Sequence, residues 1–394
     1  MIFLYRKVFI WHDVFVQKTK KKILIVSASA GHGHVVAAQA LEEALSKHPD
    51  KPEFQTVDIL EYSTTIYRKM VKDAYLFLAK KNPNLFGYIY YTTNRELNIK
   101  QARNDKFLKM LEGLNTGAFM KFLKVNTFDH IISTHYLPPQ VIERLKLKNK
   151  IHCPVTTVTT DYGLHTYWVS PGSDYFVTAD KNNKKHLVAA GVDNKRILAS
   201  GIPVRQTFYK KKDISKLKKK YNCSAKDQVV LVLSGGLGVG PIQEILGEVD
   251  KATSDFKIFV IAGRNEKLQA SLEDQSTSLN HPTTVIGYTE KIDEYMRIAD
   301  IIVTKPGGLT VAESLAVGTP LMIINPIPGQ ESFNSDMLLE EGAAVKAFGS
   351  KQISYKMDAV FSKKGKLSSL KKNAKRIGNP KAAIKIAEFV LKHC

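Results

Sequence analysis

The sequence predicts an α/β protein built from two doubly wound parallel sheets. Short apolar segments that suit buried strands alternate with helical segments along most of the chain. The lysine-rich, poorly apolar stretch 210–226 interrupts this alternation, which then starts again. Three of the apolar segments also end in glycine-rich turns that lead into helices, as ligand-binding turns in such sheets do.

Residues 1–21 form a leader ahead of the first strand-like segment. Leu4, Val8, Trp11 and Phe15 recur at helical spacing beside a run of lysines, which predicts an amphipathic helix at a membrane interface. The alternatives are a leader packed on the domain and an unstructured extension. No small-residue cleavage site follows the leader, so a secretory signal is not expected. No apolar run reaches the roughly 20 residues that a membrane-spanning helix needs.

Residues 22–205 are predicted to form the N-terminal, acceptor-side domain. A helix is expected from about 35 to 47, another ends near 188, and 62–117 predicts a mainly helical insertion. The strands of this domain are expected in KILIVSAS, DHIISTH, PVTTVTTD, DYFVTAD and RILASG.

Residues 206–380 are predicted to form the C-terminal, donor-side domain. Residues 381–394 predict a last helix that packs back on the protein, with the N-terminal domain as the candidate partner. The strands of this domain are expected in QVVLVLSGG, FKIFVIAG, TTVIGY, DIIVTKPGG and PLMIINP.

Charge and cysteine content limit the class of protein. The net charge of +21 and the pI near 9.6 predict attraction to a polyanion, either nucleic acid or an anionic membrane surface. The lysine runs lack the interleaved aromatic residues of single-strand binders. Cys153, Cys223 and Cys394 share no metal-ligand spacing and are odd in number, which favours a reducing cytoplasm over a disulfide or zinc framework.

The first glycine turn, SASAGHGHVV, contains Gly31, His32, Gly33 and His34. Its glycines permit close approach of a ligand, and the helix that follows offers free amides with a partial positive charge. His34 is the candidate general base, because the pKa of a histidine lies near neutral pH, and His32 is the weaker candidate. The alternative is a helix-capping turn with incidental histidines.

The second glycine turn, SGGLGVGP, includes Gly236. It lacks the spacing of a dinucleotide fingerprint, and the next strand does not end in the acidic residue that would hold a ribose. The turn is therefore predicted only to line a cleft.

The third turn, KPGGLT, enters a helix at Gly307, Gly308, Leu309 and Thr310, whose amides suit a diphosphate. Glu313, three residues further, is the candidate acceptor of ribose hydroxyls; the alternative is a glutamate that complements the helix dipole.

Two polar residues, Gln330 and Glu331, follow the next strand in NPIPGQE. They are expected beside the phosphate turn, where amide and carboxylate groups suit the hydroxyls of a sugar.

Asp161 and Trp168 belong to the segment TDYGLHTYW, which follows the strand PVTTVTT. Asp161 is expected to orient His34 or to act as the base itself, and Trp168 to stack on a sugar or touch lipid. The alternative is a turn-capping aspartate and a core tryptophan.

These motifs resemble the diacylglycerol glycosyltransferases of glycosyltransferase family 28, which include monogalactosyldiacylglycerol synthases and processive diacylglycerol glucosyltransferases. The matching segments are GHGH at 31–34, GIPVR at 201–205, the TDYGLHTYW segment with His165, and the donor block from Thr304 to Asn334. The resemblance implies a GT-B fold with two Rossmann-like domains facing a central cleft, a UDP-hexose donor, a diacylglycerol acceptor and inversion at the anomeric carbon. It places His165 and Trp168 on the acceptor side.

The resemblance also implies which residues hold the donor. Arg205 would contact the diphosphate, the region of Tyr288 and Thr289 the uracil, Glu313 the ribose, and Gln330 with Glu331 the hexose. Arg205 suits phosphate oxygens on its own chemistry, because a guanidinium is a planar fork; the alternative is a salt bridge at the domain edge.

The function predicted from sequence is transfer of glucose or galactose from a UDP-sugar to diacylglycerol by a peripheral enzyme at the inner face of the cell membrane. No Asp-x-Asp motif is present, so no metal and no cofactor is expected, and Arg205 with helix amides would carry the charge of the leaving group. Three alternatives stay open, namely a lipid-II-type transferase, a UDP-sugar epimerase and a basic nucleic-acid-binding protein. The last is disfavoured.

Overall fold

The chain forms two six-stranded parallel sheets in the computed structural model, which describes residues 20–394 except 30, 66–67, 70–76, 78–81, 95–115 and 235–240. The predicted leader helix lies outside the described residues, apart from the last two positions of the leader. Helices cover the faces of both sheets, so the predicted doubly wound α/β fold is confirmed.

The first sheet has the strand order β2-β1-β3-β4-β5-β6 and is parallel throughout. Its strands are β1 (Lys22–Ser27), β2 (Glu53–Asp58), β3 (His130–Ser133), β4 (Val155–Val158), β5 (Tyr175–Thr178) and β6 (Ile197–Ala199). Its helices are α1 (His32–Ser46), α2 (Pro83–Thr93), α3 (Gly117–Val125), α4 (Leu137–Leu147) and α5 (Lys181–Ala189).

The second sheet has the order β12-β11-β10-β7-β8-β9 and is also parallel throughout. Its strands are β7 (Val229–Leu233), β8 (Lys257–Ile261), β9 (Thr283–Ile286), β10 (Ile301–Thr304), β11 (Leu321–Ile324) and β12 (Ala344–Ala347). The helices from the linker onward are α6 (Ile214–Lys220), α7 (Ile242–Asp250), α8 (Glu266–Ser276), α9 (Ile292–Ile298), α10 (Gly308–Val317), α11 (Gln330–Glu340), α12 (Ile353–Ser362), α13 (Lys366–Ile377) and α14 (Ala382–Lys392).

The sequence pattern did not predict two of these strands, β2 and β12, and both lie at sheet edges. The first four residues of β2 are exposed, and the two middle residues of β12 are partly exposed. An edge strand does not need a continuous apolar run, because only one side of it is covered by neighbouring chain.

The last helix, α14, returns to the first sheet after the second sheet is complete. Ile386 and Val390 of α14 are fully buried in one apolar cluster with Ile23 of β1 and Leu41 of α1. The chain therefore passes from the first sheet to the second after β6, and back again before α14.

Each sheet is enclosed by apolar side chains from the helices on its faces. Val230, Ile258 and Ile301 are fully buried in the second sheet, as Leu24 and Ile131 are in the first. These rigid sheets fix the loops at their carboxyl ends, where the sequence motifs lie. Within the described part of the chain, no helix has the length and apolar character to cross a membrane.

Candidate active site

Two glycine turns, one from each sheet, meet at the cleft between the domains. Gly31 precedes α1 and Gly307 precedes α10, and neither helix start is capped by a side chain. A Cβ on Gly33 would lie 3.6 Å from the Cβ of Leu309, so the two helix starts face each other. Their free amides and partial positive charges make this junction suited to an anion.

Gly308 lies where the two domains approach each other closely. A Cβ at this position would lie 2.0 Å from the backbone oxygen of Thr160 and 2.9 Å from Oδ1 of Asp161. Only glycine permits this distance. The phosphate turn (KPGGLT, 305–310) therefore rests directly on the acceptor segment (TDYGLHTYW, 160–168).

His34 is held in a defined orientation at the start of α1. Its Nδ1 lies 2.9 Å from the carbonyl oxygen of Thr134 and 2.9 Å from Oγ1 of Thr160. Because a carbonyl only accepts, Nδ1 carries the proton and Nε2 keeps its lone pair. Thr134 also donates from Oγ1 to the backbone oxygen of His34, at 3.0 Å.

Burial lowers the pKa of His34 to about 4, although the hydrogen bond to Thr134 acts in the opposite direction. The imidazole is therefore neutral at pH 7, with Nε2 ready to accept a proton. His135 packs edge-on against this ring, with ring centroids 4.7 Å apart. Burial keeps the pKa of His135 well below its usual value, so no positive charge arises beside His34.

Trp168 lies in the core beside His34. It is only 4% exposed and belongs to an apolar cluster with Leu164 and Phe176. The indole lies 6.1 Å from the ring of His34, centroid to centroid. This placement is the one described by the alternative of a core tryptophan.

His165 is also buried, at 4% exposure, and its nitrogens contact protein groups. Nδ1 accepts a hydrogen bond from the amide of Tyr167, and Nε2 lies 3.2 Å from the carbonyl oxygen of Tyr90 in α2. His165 thus joins α2 to the segment 160–168, which the resemblance places on the acceptor side.

Helix α2 also contacts the loop that precedes α11. A Cβ on Gly87 would lie 2.6 Å from the Cβ of Pro328, and one on Gly329 would lie 2.7 Å from the ring of Tyr90. Gly329 has a φ of +89°, a conformation that favours glycine. Helix α2 thus packs on elements of both domains.

Asp161 is hydrogen-bonded to the C-terminal domain, and among the described residues no hydrogen bond joins it to His34. The two histidine contacts at Nδ1 come from Thr134 and Thr160, and Asp161 instead accepts two hydrogen bonds from Nε2 of Gln330, at 3.0 and 2.9 Å. Burial raises the pKa of Asp161 to about 6, against the effect of these hydrogen bonds. Its carboxyl group joins the acceptor segment to α11.

Asn334, a fully buried residue of α11, was not assigned a role from the sequence. Its Oδ1 accepts from the amide of Tyr162 at 2.7 Å, and its Nδ2 donates to the carbonyl oxygen of Pro306 at 3.0 Å. One side chain therefore fixes both the acceptor segment and the phosphate turn. A buried amide that satisfies two backbone groups leaves no periodic signal in a sequence.

Glu331 lies on the other side of the start of α11. Its Oε2 accepts from the amide of Ile327 at 2.7 Å, and its Oε1 lies 3.8 Å from the position that a Cβ on Gly307 would occupy. Burial raises the pKa of Glu331 to about 7. The structure thus brings Glu331 to the phosphate turn. In the neighbouring Gln330, the amide nitrogen binds Asp161, and the side-chain carbonyl oxygen is the group left for a ligand.

Glu313 and Arg205 lie deep in the donor side of the cleft. Glu313 is 7% exposed, and burial raises its pKa to about 8, although the charge of Arg205 acts to lower it. Among the described residues, no hydrogen-bond partner is found for the buried Nε of Arg205. A guanidinium with a free donor, next to the uncapped start of α10, is suited to a phosphate group.

The cationic surface of the cleft includes Arg264, which follows β8. Its guanidinium lies 4.5 Å from the ring centroid of Tyr288, which is 58% exposed. The pKa of His32 is lowered by burial and then by the charges of Arg264 and Arg205, so the three side chains are close together. The sequence analysis did not select Arg264. Its position in the segment AGRN, at the carboxyl end of a strand, is the sequence signal that could have identified it.

The remaining predicted donor residues are partly exposed or lie outside the described part. The hydroxyl of Thr289 accepts a hydrogen bond from the amide of Lys291 and so begins the turn into α9. Thr310 lies in the first turn of α10 and is partly exposed. Gly236 falls among residues 235–240, which the structure does not describe.

The arrangement combines a neutral imidazole, an anion-binding turn and buried carboxyl groups within one cleft. The imidazole can accept a proton from a hydroxyl group, and the helix starts with Arg205 can stabilise an anionic leaving group. In the described ranges, no group of three or more histidine, cysteine, aspartate or glutamate side chains is placed to hold a metal ion.

The fold is shared with solved glycosyltransferase structures. Acinetobacter baumannii MurG matches with a TM-score of 0.63 and 15% identity, over 95% of this chain and 99% of that chain. Anabaena Alr3699/HepE in complex with UDP and glucose matches with a TM-score of 0.52 and 13% identity, over 94% of this chain and all of that chain. The chain therefore has the two-domain α/β fold of the GT-B class.

The sequence relatives narrow this class. Residues 34–204 match the family model of monogalactosyldiacylglycerol (MGDG) synthase, and residues 204–377 match glycosyl transferases group 1. The processive diacylglycerol beta-glucosyltransferase of Bacillus licheniformis is 29% identical over 364 residues, 91% of each chain. That of Bacillus cereus is 28% identical over 371 residues, 94% of this chain and 93% of its own. The chain is therefore similar to diacylglycerol glycosyltransferases over more than nine-tenths of its length, which confirms the resemblance found in its motifs.

Proposed function

We propose that the protein transfers glucose from UDP-glucose to diacylglycerol and forms β-glucosyldiacylglycerol. The observation that carries the proposal is the pairing of His34, with a free Nε2, and the anion-binding turn of α10 across one cleft. The names of the Bacillus relatives support diacylglycerol as acceptor and glucose as sugar. The complex of HepE with UDP-glucose supports a UDP-sugar as the donor for a protein of this fold.

In this reaction His34 acts as the general base. Nε2 accepts the proton of the acceptor hydroxyl while the hydroxyl oxygen attacks the anomeric carbon, and the bond from that carbon to the diphosphate breaks. The hydrogen bond from Nδ1 to Thr134 stabilises the imidazolium that forms. A single displacement of this kind inverts the anomeric centre, as the β product requires.

The leaving UDP is stabilised by donors that are already in place. The amides of Gly308, Leu309 and Thr310 and the free Nε of Arg205 surround the position proposed for the diphosphate. Fixed donors of this type need no reorganisation as charge develops. Glu313 is proposed as the partner of the ribose hydroxyls, and Tyr288 with Arg264 as the surface for the uracil.

We propose that no metal and no cofactor takes part, because Arg205 and the helix amides supply the charge that a metal would supply. The expected result is a transfer rate that is unchanged after exhaustive treatment with a chelator. Loss of activity in the chelator that returns with Mg²⁺ or Mn²⁺ would contradict this part of the proposal.

Membrane attachment is proposed to be peripheral, at the inner face of the cell membrane. The outer face of α2 exposes Leu85, Tyr88, Ile89 and Tyr91, with exposures of 49%, 68%, 40% and 51%. This apolar and aromatic surface adjoins the acceptor segment through the contact of Tyr90 with His165, and the net charge of +21 favours anionic lipid. We expect binding to anionic vesicles that weakens with salt, and weaker binding of a Leu85→Ser, Tyr88→Ser protein. Equal binding to anionic and neutral vesicles would contradict the proposal that the positive charge of the protein contributes to membrane attachment.

The decisive experiment supplies purified protein with diacylglycerol vesicles and either UDP-glucose or UDP-galactose, and identifies the lipid products by mass and linkage. A β-linked glucosyl lipid is the expected product, and a His34→Ala protein serves as the inactive control. A galactosyl product would change the donor. Hydrolysis or epimerisation of the nucleotide sugar without any lipid product would refute the proposal.

A further inference from the structure

The turn that carries Arg205 lies where the chain passes from the first domain to the second. Gln206–Phe208 form a single helical turn, and Arg205 is its N-cap residue. The guanidinium carbon of Arg205 lies 5.9 Å from the ring centroid of Phe208. The position of this guanidinium in the cleft therefore depends on how the segment 205–210 is held.

The backbone on both sides of Arg205 is anchored in the core of the C-terminal domain. Phe208 is fully buried and Val204 is 1% exposed, and both belong to an apolar cluster with Met296 and Ile298 of α9. This packing fixes the two flanks of Arg205 against α9. It does not by itself fix the turn between them.

Arg297 of α9 caps the end of this turn. Its Nη2 donates to the backbone oxygens of Thr207, Phe208 and Lys210, at 3.1, 2.6 and 3.0 Å. The last carbonyl oxygens of a helical turn have no partner within the turn, and a cation at that end also complements the helix dipole. The side chain of Arg297 is only 12% exposed, so it holds the turn from the protein interior.

Glu43 of α1 holds the same turn from the other domain. Its Oε2 accepts a hydrogen bond from the amide of Gln206 at 2.8 Å. Lys47, one helical turn further along α1, donates to the side-chain oxygen of Gln206. Because α1 also carries His34, these contacts join the helix of the proposed base to the turn that carries Arg205.

The guanidinium of Arg205 has a donor left for a ligand, although its backbone is held from both domains. Among the described residues, the buried Nε of Arg205 has no hydrogen-bond partner. A long side chain of this kind loses rotamer freedom when it binds, and a fixed backbone limits the orientations that it must give up. The contacts of the turn therefore set the position from which Arg205 reaches a ligand.

We propose that Arg297 and Glu43 are positioning residues, which hold the turn 205–210 so that Arg205 reaches the diphosphate of the UDP-sugar. This inference rests on the role proposed above for Arg205. Arg297 and Glu43 act through the backbone of the turn and do not contact the nucleotide. Binding of a diphosphate therefore depends on both residues, and binding of the nucleoside alone does not.

Arg297→Gln removes the cation that caps the turn. Arg376→Gln is the matched control, because Arg376 is an exposed arginine of the same domain whose Nη2 donates to the backbone oxygen of Glu341. Arg297→Lys keeps the positive charge with a single donor group and takes the place of the glutamine variant if that protein does not fold. Thermal unfolding shows whether each protein is folded.

Glu43→Ala removes the contact from the other domain. Glu43 is partly exposed and lies within α1, and alanine favours a helix, so this variant is expected to fold. Glu42→Ala is its matched control, because it removes the neighbouring carboxylate on the same helix and leaves the hydrogen bond to Gln206 in place.

The first measurement is calorimetric titration of each protein with UDP and with uridine. We expect Arg297→Gln to weaken UDP binding at least about tenfold, the effect of losing one charged hydrogen bond, and uridine binding less than about twofold. Glu43→Ala should weaken UDP binding about threefold, and both controls should bind as the wild type does. Unchanged UDP affinity in Arg297→Gln and Glu43→Ala, or equal losses for UDP and uridine, overturns the inference.

The second measurement is a double-mutant cycle with Arg205→Gln. If Arg297 acts through Arg205, adding Arg297→Gln to Arg205→Gln should weaken UDP binding by less than about twofold further. A full additional loss would show that Arg297 acts independently of Arg205, and would overturn the inference. If Arg205→Gln binds UDP as the wild type does, the inference falls together with the role proposed for Arg205. If the cycle gives the expected result but no glycolipid is formed, the proposed function fails and the positioning role stands.

Discussion

Gln330 donates from Nε2 to both carboxylate oxygens of Asp161, at 3.0 and 2.9 Å, and so joins the first turn of α11 to the acceptor segment of the other domain. This contact assigns Asp161 to the interface between the domains. His34, whose hydrogen bonds come from Thr134 and Thr160, is the base proposed above.

The first prediction compares Asp161→Asn with His34→Ala. Loss of the base should lower kcat about 10²-fold to 10⁴-fold, because general-base catalysis contributes on that scale. Asp161→Asn keeps the size of the side chain and an oxygen that accepts from Gln330, so we expect a loss of about tenfold or less. Steady-state kinetics measure the loss of kcat in both variants, and their affinity for UDP shows whether they are folded. An Asp161→Asn protein that is as inactive as His34→Ala would make Asp161 the base.

The second prediction concerns the acid limb of the pH profile of kcat/KM. The pKa of His34 is lowered to about 4 and that of Asp161 is raised to about 6. A base must be unprotonated, so activity falls as the pH drops through the pKa of the free base. We expect kcat/KM to fall less than about threefold between pH 7 and pH 5. A tenfold loss per pH unit that begins near pH 6 would favour Asp161 instead.

The third prediction concerns the close approach of Gly308 to the acceptor segment. In Gly308→Ala the new methyl group would lie 2.0 Å from the backbone oxygen of Thr160, which forces α10 away from the other domain. We expect activity to fall at least about tenfold, since a displacement of this size at the reacting groups has such effects. Gly247→Ala in α7 is the control, because its methyl group would meet only a side-chain nitrogen at 3.5 Å and alanine favours a helix. Equal activity of the two variants would show that the domains do not need this contact.

The fourth prediction concerns Glu313 and stability. Burial raises the pKa of Glu313 to about 8 from an ordinary value of 4.5, so the folded state keeps the proton longer than the unfolded state does. The stabilising effect is full below pH 4.5 and is lost as the pH rises towards 8. Thermal unfolding of the ligand-free protein at pH 5 and pH 8 should show a smaller decrease for Glu313→Gln than for the wild type. Asp161 and Glu331 remain in both proteins, so the difference reports Glu313. If the thermal stability of both proteins decreased equally between pH 5 and pH 8, the pH dependence would come from a group other than Glu313.

The sequence predicted those parts of the protein that follow from local pattern. Buried central strands such as β1 and β7 are continuous apolar runs, and glycine turns after strands mark the ends of the sheets where ligands bind. The edge strands β2 and β12 lack that pattern because part of each faces solvent. Local pattern therefore finds the middle of a sheet more readily than its margins.

The details of the site depended on distances that no local pattern contains. Asp161 and Gln330 are 169 residues apart in the chain, and their contact exists only because the two domains face each other. Trp168 and His165 have side chains that suit either an acceptor site or a packed core, and their surroundings decide between the two. The residue types indicated the chemistry of these side chains. The packing of whole helices and strands determined which groups they contact.

The packing of α14 against α1 has a consequence for synthesis of the protein. Ile386 and Val390 cover the apolar side of α1, the helix that begins with His32 and carries His34. During translation that side of α1 stays open to solvent and chaperones until residues 383–390 have left the ribosome. The helix that carries the proposed base is therefore completed only after the whole second sheet has been made.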